Sequence, residues 1–199
     1  DYTNASASYA YDVLAKRYAA DGTLLADEFT LNTTVSGTQF NPRLAALPGG
    51  KFVAVYADAS ANDGSGYGVF SKVFNADGTV AVAEQGVPST VAGNQYGHDV
   101  AVLADGSYVV VWWSADDQIH GQRFDGSGAK VGGQFQVSTT DSEPYQNYAR
   151  VTALGDGGFV VAWDSYNGVG GSTYDVFVQQ FDAAGNKLAS WRVVAVLVD

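Results

Sequence analysis

The feature that most constrains this chain is a tight turn followed by a short strand of β-branched and aromatic residues, which occurs three times. The central copy runs from Asp105 to Ser114 and reads DGSYVVVWWS. The other copies are Gly49–Tyr56 and Asp156–Trp163. They recur about every fifty residues, a period typical of repeat architectures built from one supersecondary unit.

A second pattern, two apolar segments around a glycine-containing turn, occurs four times. Asp-Gly between alternating apolar segments predicts a β-hairpin. Each of the first three hairpins leads through a Thr-containing connector and a glutamine into a short strand of small apolar residues. One unit therefore contains four short strands in about fifty residues, with no helical periodicity. The hairpins begin with Tyr11–Tyr18, Gly68–Phe74, Ile119–Phe124 and Val176–Phe181, and the small apolar strands are Leu44–Leu47, Val100–Leu103 and Val151–Leu154.

Both faces of the repeated strand are apolar. Tyr108, Val110 and Trp112 lie on one face, and Val109, Val111 and Trp113 lie on the other. A two-sheet sandwich leaves one face of many strands in water, whereas a propeller blade is covered on both sides. The sequence therefore predicts an all-β, β-propeller-like fold of about three and a half four-stranded repeats. An array of β-sandwiches is the alternative.

The repeats also divide the chain. Residues 1–10 are predicted to be a lead-in, and 11–199 a single repeat-built β domain. It consists of a half unit at 11–31 and full units at about 43–92, 99–140 and 149–198. A half unit leaves apolar surface to be covered, including Val193–Val198. We therefore expect self-association, a larger assembly or a longer parent chain.

Composition excludes several functions. The formal net charge of −11 argues against nucleic acid and anionic membrane surfaces as partners. The absence of cysteine excludes disulfides and thiolate metal sites. No apolar segment is long enough to predict membrane insertion.

Three segments carry a resemblance to a known group of proteins. Asp63–Phe70, Gly121–Asp125 and Gly158–Trp163 resemble repeats of very large secreted or surface bacterial proteins, which often also carry hemolysin-type calcium-binding repeats. The resemblance implies a propeller-like module at an extracellular or cell-surface location. It transfers no catalytic residues, and the glycine-rich calcium nonapeptide is absent from this chain.

The expected function is a non-catalytic module that mediates adhesion or binds a glycan or a surface protein. His98 and His120 lie in different repeats, and no nucleophile elbow, phosphate loop or His-Glu-x-x-His motif is present. The chain is therefore expected not to be an enzyme. The alternatives are a structural subunit of an extracellular filament or surface layer, and a glycan-active enzyme.

Candidate ligand-binding residues are aromatic residues that break the repeat or lie in its loops. Tyrosine and tryptophan suit sugar rings and protein partners, although filling gaps between sheets explains them equally well. Trp113 aligns with Ala57 and Asp164 of the other copies. The full set is Trp113, Tyr145, Tyr148, Tyr166 and Tyr174.

Acidic loops that follow the repeated strand are candidate calcium sites, because hard cations prefer several oxygen ligands. The same residue types also dominate ordinary turns. The candidates are Asp58, Asn62, Asp63, Asp116, Asp117, Asp164 and Asn167. Calcium is the only cofactor this pattern suggests.

Two sets of polar residues recur in register. Gln39, Gln95 and Gln146 either line a groove or satisfy backbone groups between sheets. Arg43, Asp99 and Arg150 begin the small apolar strands, so their alternating charges predict pairing between neighbouring units.

Overall fold

The computed structural model describes residues 11–60, 63–138, 146–167 and 173–193. Over these ranges the chain is all β, apart from a single 3-10 turn at Pro48–Gly50. No helix in the described part is long and apolar enough to cross a membrane. The strands are β1 (Leu14–Tyr18), β2 (Leu24–Thr30), β3 (Gln39–Ala46), β4 (Phe52–Asp58), β5 (Gly68–Phe74), β6 (Val80–Gly86), β7 (Gln95–Val102), β8 (Tyr108–Ser114), β9 (Ile119–Phe124), β10 (Lys130–Gln136), β11 (Gln146–Ala153), β12 (Phe159–Asn167), β13 (Thr173–Phe181) and β14 (Lys187–Val193).

Consecutive strands pair in antiparallel order to form separate sheets. Strands β3 to β6, β7 to β10 and β11 to β14 form three four-stranded sheets, and β1 and β2 form a two-stranded ribbon. The predicted all-β fold and four-stranded unit are therefore confirmed. The first strands of the units, β3, β7 and β11, are longer than the sequence indicated, because each begins at the recurring glutamine.

Tight turns close one end of every sheet. In the β9–β10 turn, the Asp125 carboxylate accepts hydrogen bonds from the backbone N–H groups of Ser127 and Ala129, both at 2.9 Å. Gly128 has a φ of 88°, a left-handed conformation in which glycine carries no Cβ penalty. The Asp77 and Asp105 carboxylates hold their turns in the same way. We call this end of the sheets the turn end.

Aromatic pairs lie just inside the turn end of each sheet. The rings of Tyr108 and Phe124 are stacked, with centroids 4.7 Å apart and an angle of 6° between planes. The pairs Phe52–Phe74 and Phe159–Phe181 repeat this arrangement at 5.0 and 4.6 Å. A stacked pair of aromatic rings in each four-stranded sheet helps to fix the β4–β5, β8–β9 and β12–β13 registers at this end.

The cores lie between sheets. Val110 on one face of β8 belongs to a buried cluster with Val55 of the first sheet. Val109 on the opposite face belongs to a second cluster with Val161 of the third sheet. The β8 strand is therefore covered on both sides, as its two apolar faces predicted. The β1–β2 ribbon covers the outer face of the first sheet, and Val13 and Leu31, which flank its two strands, are buried there.

The recurring glutamines are buried at the start of β3, β7 and β11. Gln39 donates to the Ser36 carbonyl and to the Asp58 carboxylate, both at 3.0 Å. Gln95 donates to the Ala92 and Gly93 carbonyls at 3.1 Å. These contacts support the structural role of the glutamines over a role in a ligand groove.

Candidate functional site

A cavity of about 500 Å³ opens between the starts of β3, β7 and β11. We call it the inner-strand pocket, and the end of the sheets that holds it the pocket end. All three four-stranded sheets contribute to it. Its lining residues are Asn41, Arg43, Tyr96, Gly97, His98, Asn147, Tyr148 and Arg150.

A β-bulge at the same position of each first strand shapes the pocket. The pairing register shifts between Phe40 and Arg43, between Tyr96 and Asp99, and between Asn147 and Arg150. The residues inside the bulges adopt left-handed backbone conformations, with φ of 53°, 64° and 55° at Asn41, Gly97 and Tyr148. Bulges redirect side chains and often lie beside functional sites. All three bulge residues line the pocket.

Asp99 links the three first strands at the edge of the pocket. Its Oδ1 lies 3.8 Å from Nε of Arg43 on β3. Its Oδ2 accepts a hydrogen bond of 3.0 Å from the backbone N–H of Val151 on β11. The predicted pairing of Arg43 with Asp99 is therefore confirmed.

Arg150 provides a second positive charge in the pocket. Its Nη1 donates to the Ala149 carbonyl at 2.8 Å. Within the described part of the chain, no carboxylate lies within ion-pair distance of Arg150. Two arginines and one aspartate therefore give the pocket a positive balance, although the chain carries −11 overall.

His98 is 2% exposed and forms the floor of the pocket. Its Nε2 donates to the Asn41 carbonyl at 2.8 Å, because a carbonyl oxygen only accepts. Burial, together with the nearby charges of Arg43 and Arg150, lowers the pKa of His98 to about 4, although the hydrogen bond to the Asn41 backbone opposes the shift. The imidazole is therefore neutral at pH 7 and joins the first two sheets.

Aromatic side chains border the pocket. Tyr148 is 66% exposed and lines it directly. Tyr96 lines it on the opposite strand, and its ring centroid lies 4.6 Å from that of Trp113. Trp113 is half-buried, because it also contacts the core between the second and third sheets.

The five predicted ligand-binding residues thus have different locations. Tyr148 lines the pocket and Trp113 lies beside it. Tyr166 and Tyr174 are directly opposite each other on β12 and β13. Tyr145 lies outside the described residues. Their binding role remains a prediction.

The described candidate calcium ligands lie at the pocket end of separate sheets, and several already bind protein groups. Asp58, Asp164 and Asn167 lie in strands, not in the loops that the sequence suggested. Asp58 is buried and accepts from Gln39 and from the Ser60 N–H at 2.7 Å. Asp116 lies 2.8 Å from Nε2 of His120. Asp63 accepts from the Ser65 N–H at 3.1 Å.

The remaining candidate calcium ligands, where described, do not form a metal-binding cluster. Asp117 has a left-handed φ of 59°, and Asp164 pairs with Asn147 across β11 and β12. Asn167 ends β12, and Asn62 lies outside the described residues. Among the described residues, no group of three or more His, Cys, Asp or Glu is placed to hold a metal ion. Calcium binding stays a prediction, tested by whether a chelator lowers the melting temperature.

Sequence reasoning missed Asn41, His98 and Asn147 as pocket residues. The available signal was their position between each recurring glutamine and each recurring charged residue. That interval contains the bulge, which is absent from the alternating pattern used to predict strands.

No protein-family model matches the sequence, and no curated protein matches it. Solved structures with similar folds include a protein of unknown function from Dyadobacter fermentans, with a TM-score of 0.62 and 12% identity over 91% of this chain and 58% of that one. A Hadza microbial sialidase has a TM-score of 0.58 and 13% identity over 76% and 38% of the two chains. A GH43 endo-arabinanase from Bacillus licheniformis has a TM-score of 0.51 and 14% identity over 79% and 60%. This chain thus spans only about two fifths to three fifths of the length of these proteins.

These likenesses support a β-propeller-like all-β fold and correct the functional expectation. The predictions of a non-catalytic adhesion module and of a chain that is not an enzyme are wrong, because the neighbours include glycan-active enzymes. The expectation rested on the lack of a contiguous catalytic motif, and such a lack says nothing of a site assembled from distant strands. At identities of 12 to 14%, the fold is what this chain shares with the three proteins named above, and it is a fold used by a sialidase and an endo-arabinanase.

Proposed function

We propose that this chain is a glycan-active enzyme domain that binds and hydrolyses a glycan at the inner-strand pocket. The observation that carries the proposal is the convergence of three equivalent bulges on one cavity beside the enclosed carboxylate of Asp99. Concave sites with a few convergent polar groups are typical of small-molecule and substrate binding. The fold shared with glycan-active enzymes supports the same assignment.

In this proposal the four-stranded sheets are blades of a β-propeller, and the pocket lies on its axis. The contacts of β7 with both β3 and β11 and the burial of β8 on both faces support that arrangement. The bulges then correspond to the mouth of the propeller, where loops from several blades meet. Such a mouth accepts one sugar with its hydroxyls facing polar side chains.

Asp99 is the carboxylate we assign to the reaction. Glycoside hydrolysis generally uses two carboxyl groups, one donating a proton to the leaving oxygen and one acting as base or nucleophile. The Asp99 side chain is 16% exposed and lies between Arg43 and the start of β11, next to residues that line the pocket. Arg43 and the Val151 N–H fix its orientation. The residues that line the pocket include no carboxyl group, so in this proposal Asp99 acts from the pocket edge and the second carboxyl group also comes from outside the lining.

The test is turnover of a broad panel of polysaccharides and aryl glycosides by the wild-type chain and by Asp99→Asn. Loss of a positioned acid or base costs about 100- to 10,000-fold in rate, so we expect a fall of that size in kcat. Asp27→Asn, an exposed carboxylate on β2, is the matched control and keeps full activity. No turnover of any glycan by the wild-type chain, or full activity in Asp99→Asn, contradicts the proposal.

We further propose that the domain works outside the cell or at its surface. Glycan polymers occur outside the cell, and the resemblance to repeats of secreted bacterial proteins supports an extracellular location. Fractionation of the native source tests this location, and recovery of the protein only from the cytoplasm contradicts it.

A further inference from the structure

The second sheet breaks the repeat at two adjacent positions beside the pocket. The bulge residue is Asn41 in β3 and Tyr148 in β11 but Gly97 in β7. Opposite the residue before each bulge, the first and third sheets carry Ala57 and Asp164, whereas the second carries Trp113. In the second sheet the bulge residue, Gly97, has no side chain, and the nearby position on β8 carries Trp113.

There is free space around Gly97. A Cβ atom added to Gly97 would have only one neighbour within 4.0 Å, the Cβ of Trp113. Gly97 lines the pocket and places no side chain between it and the neighbouring Cβ of Trp113. Tyr96 lines the pocket on the same strand, and its ring is tilted 41° against that of Trp113.

The aromatic surface continues away from the pocket. The Tyr67 ring centroid lies 6.4 Å from that of Tyr96, and Tyr67 is 40% exposed. Phe40 supports Tyr67 from the first sheet at 5.7 Å. We call Tyr67, Tyr96 and Trp113 the aromatic shelf. Its three members are aromatic, in contrast to the charged residues Arg43, Asp99 and Arg150 at the pocket.

We propose that the aromatic shelf binds a second sugar ring, next to the sugar in the inner-strand pocket. The apolar C–H face of a sugar ring suits an amphipathic aromatic surface, and tyrosine hydroxyls suit its rim. The substrate class is therefore a neutral glycan chain of two or more sugars, not a single terminal sugar. This inference rests on the proposed function, because it extends the same site.

The equivalent position of another repeat suggests the substitution that tests the aromatic shelf. Gly97→Asn introduces the residue that β3 carries at the equivalent position, where Asn41 has a φ of 53°. Asparagine tolerates the left-handed region, and the space around Gly97 accepts a Cβ, so the variant is expected to fold. Its side chain would stand between the pocket and Trp113. Gly132→Asn on β10 is the matched control, with a φ of 67° and no atom within 4 Å of an added Cβ.

The experiment measures affinity by calorimetry for arabino-oligosaccharides and xylo-oligosaccharides of one to six sugars. For the wild-type chain and Gly132→Asn, we expect affinity for at least one series to rise about three- to tenfold from one sugar to two, as one aromatic contact would give. Gly97→Asn should abolish this rise. Tyr67→Leu, which keeps an apolar contact with Phe40, should reduce the gain from further sugars.

The outcomes separate the two proposals. A chain-length gain that Gly97→Asn removes, without hydrolysis of any glycan, supports the shelf and contradicts the catalytic assignment. Hydrolysis with affinity that does not depend on chain length, or a gain that Gly97→Asn retains, overturns the shelf. Failure of every oligosaccharide in both series to bind also overturns it.

Discussion

The turn end and the pocket end of the same sheets differ in how far the three repeats agree. At the turn end, each repeat has a stacked aromatic pair at 4.6 to 5.0 Å and carboxylate-held tight turns. At the pocket end, the buried glutamines are alike, but the bulge residue differs in every repeat and the charged residue is an aspartate in only one of them. The bulge residues are Asn41, Gly97 and Tyr148, and the charged positions are Arg43, Asp99 and Arg150.

This contrast distinguishes residues that stabilise the fold from residues that are candidates for binding a ligand. A position filled alike in all repeats meets a requirement that every sheet shares, such as a turn or an inter-sheet core. A position filled differently in each repeat meets a requirement of only one place in the molecule. Because one asymmetric ligand contacts each strand differently, the pocket end is where a binding site is expected.

The largest expected effect is at the turn end. Phe159 is fully buried and stacked on Phe181, so Phe159→Ala should lower the free energy of unfolding by about 3–5 kcal/mol. Tyr148→Ala at the pocket end removes a side chain that is 66% exposed and should change it by less than about 0.5 kcal/mol. Urea denaturation measures both. Equal losses would erase the distinction between the two ends.

The lowered pKa of His98, at the pocket end, predicts that the stability of the folded chain depends on pH. The pKa of His98 is about 4 in the folded chain, and the ordinary value of 6.5 applies to the unfolded chain. Between pH 4 and 6.5 the unfolded chain therefore binds more protons than the folded chain. Stability is therefore complete above about pH 6.5 and falls on acidification, by about 3 kcal/mol near pH 4.

His98→Gln keeps a donor for the Asn41 carbonyl and removes the titration, so its stability should be flatter between pH 6.5 and 4.5. The turn carboxylates Asp105 and Asp125 do not produce this slope. Their hydrogen bonds to Ser107 and Ser127 lower their pKa values, so their stabilisation is lost only at more acidic pH. Identical slopes for the wild-type chain and His98→Gln would show that His98 is not the source.

Asp99 and Arg43 form one ion pair but should differ in what each contributes to stability. Asp99→Ala leaves the Val151 N–H without its acceptor and should cost about 1–3 kcal/mol. Arg43→Ala removes a side chain that is 39% exposed and should cost only about 0–1 kcal/mol. A double-mutant cycle by urea denaturation measures the coupling. A larger loss in Arg43→Ala would reverse the assignment of Asp99 as the linking residue.

The turn end could be predicted almost entirely from the sequence. The aromatic residues Tyr108 and Phe124, the Asp-Gly turns and the two apolar faces of β8 all follow from local spacing and alternation. Arg43 and Asp99 were also predicted to pair, because repeats place equivalent residues at equivalent places.

The pocket itself could not be predicted. A bulge adds a residue to one strand and depends on tertiary context, so Asn41 and Tyr148 gave no local signal of their left-handed backbone. His98 was set aside because its partner, the Asn41 carbonyl, belongs to another repeat. The pocket was missed for the same reason, since its lining comes from three strands far apart in sequence.

The most direct test of whether the pocket end is the functional end is NMR mapping of a bound oligosaccharide on this 20.8 kDa chain. We predict that the amide shifts that change on titration cluster at Asn41, Tyr96, Gly97, Tyr148 and Arg150, while those of the turns at Asp77, Asp105 and Asp125 stay constant. Shifts concentrated at these turns, or on the β1–β2 ribbon, would contradict the account.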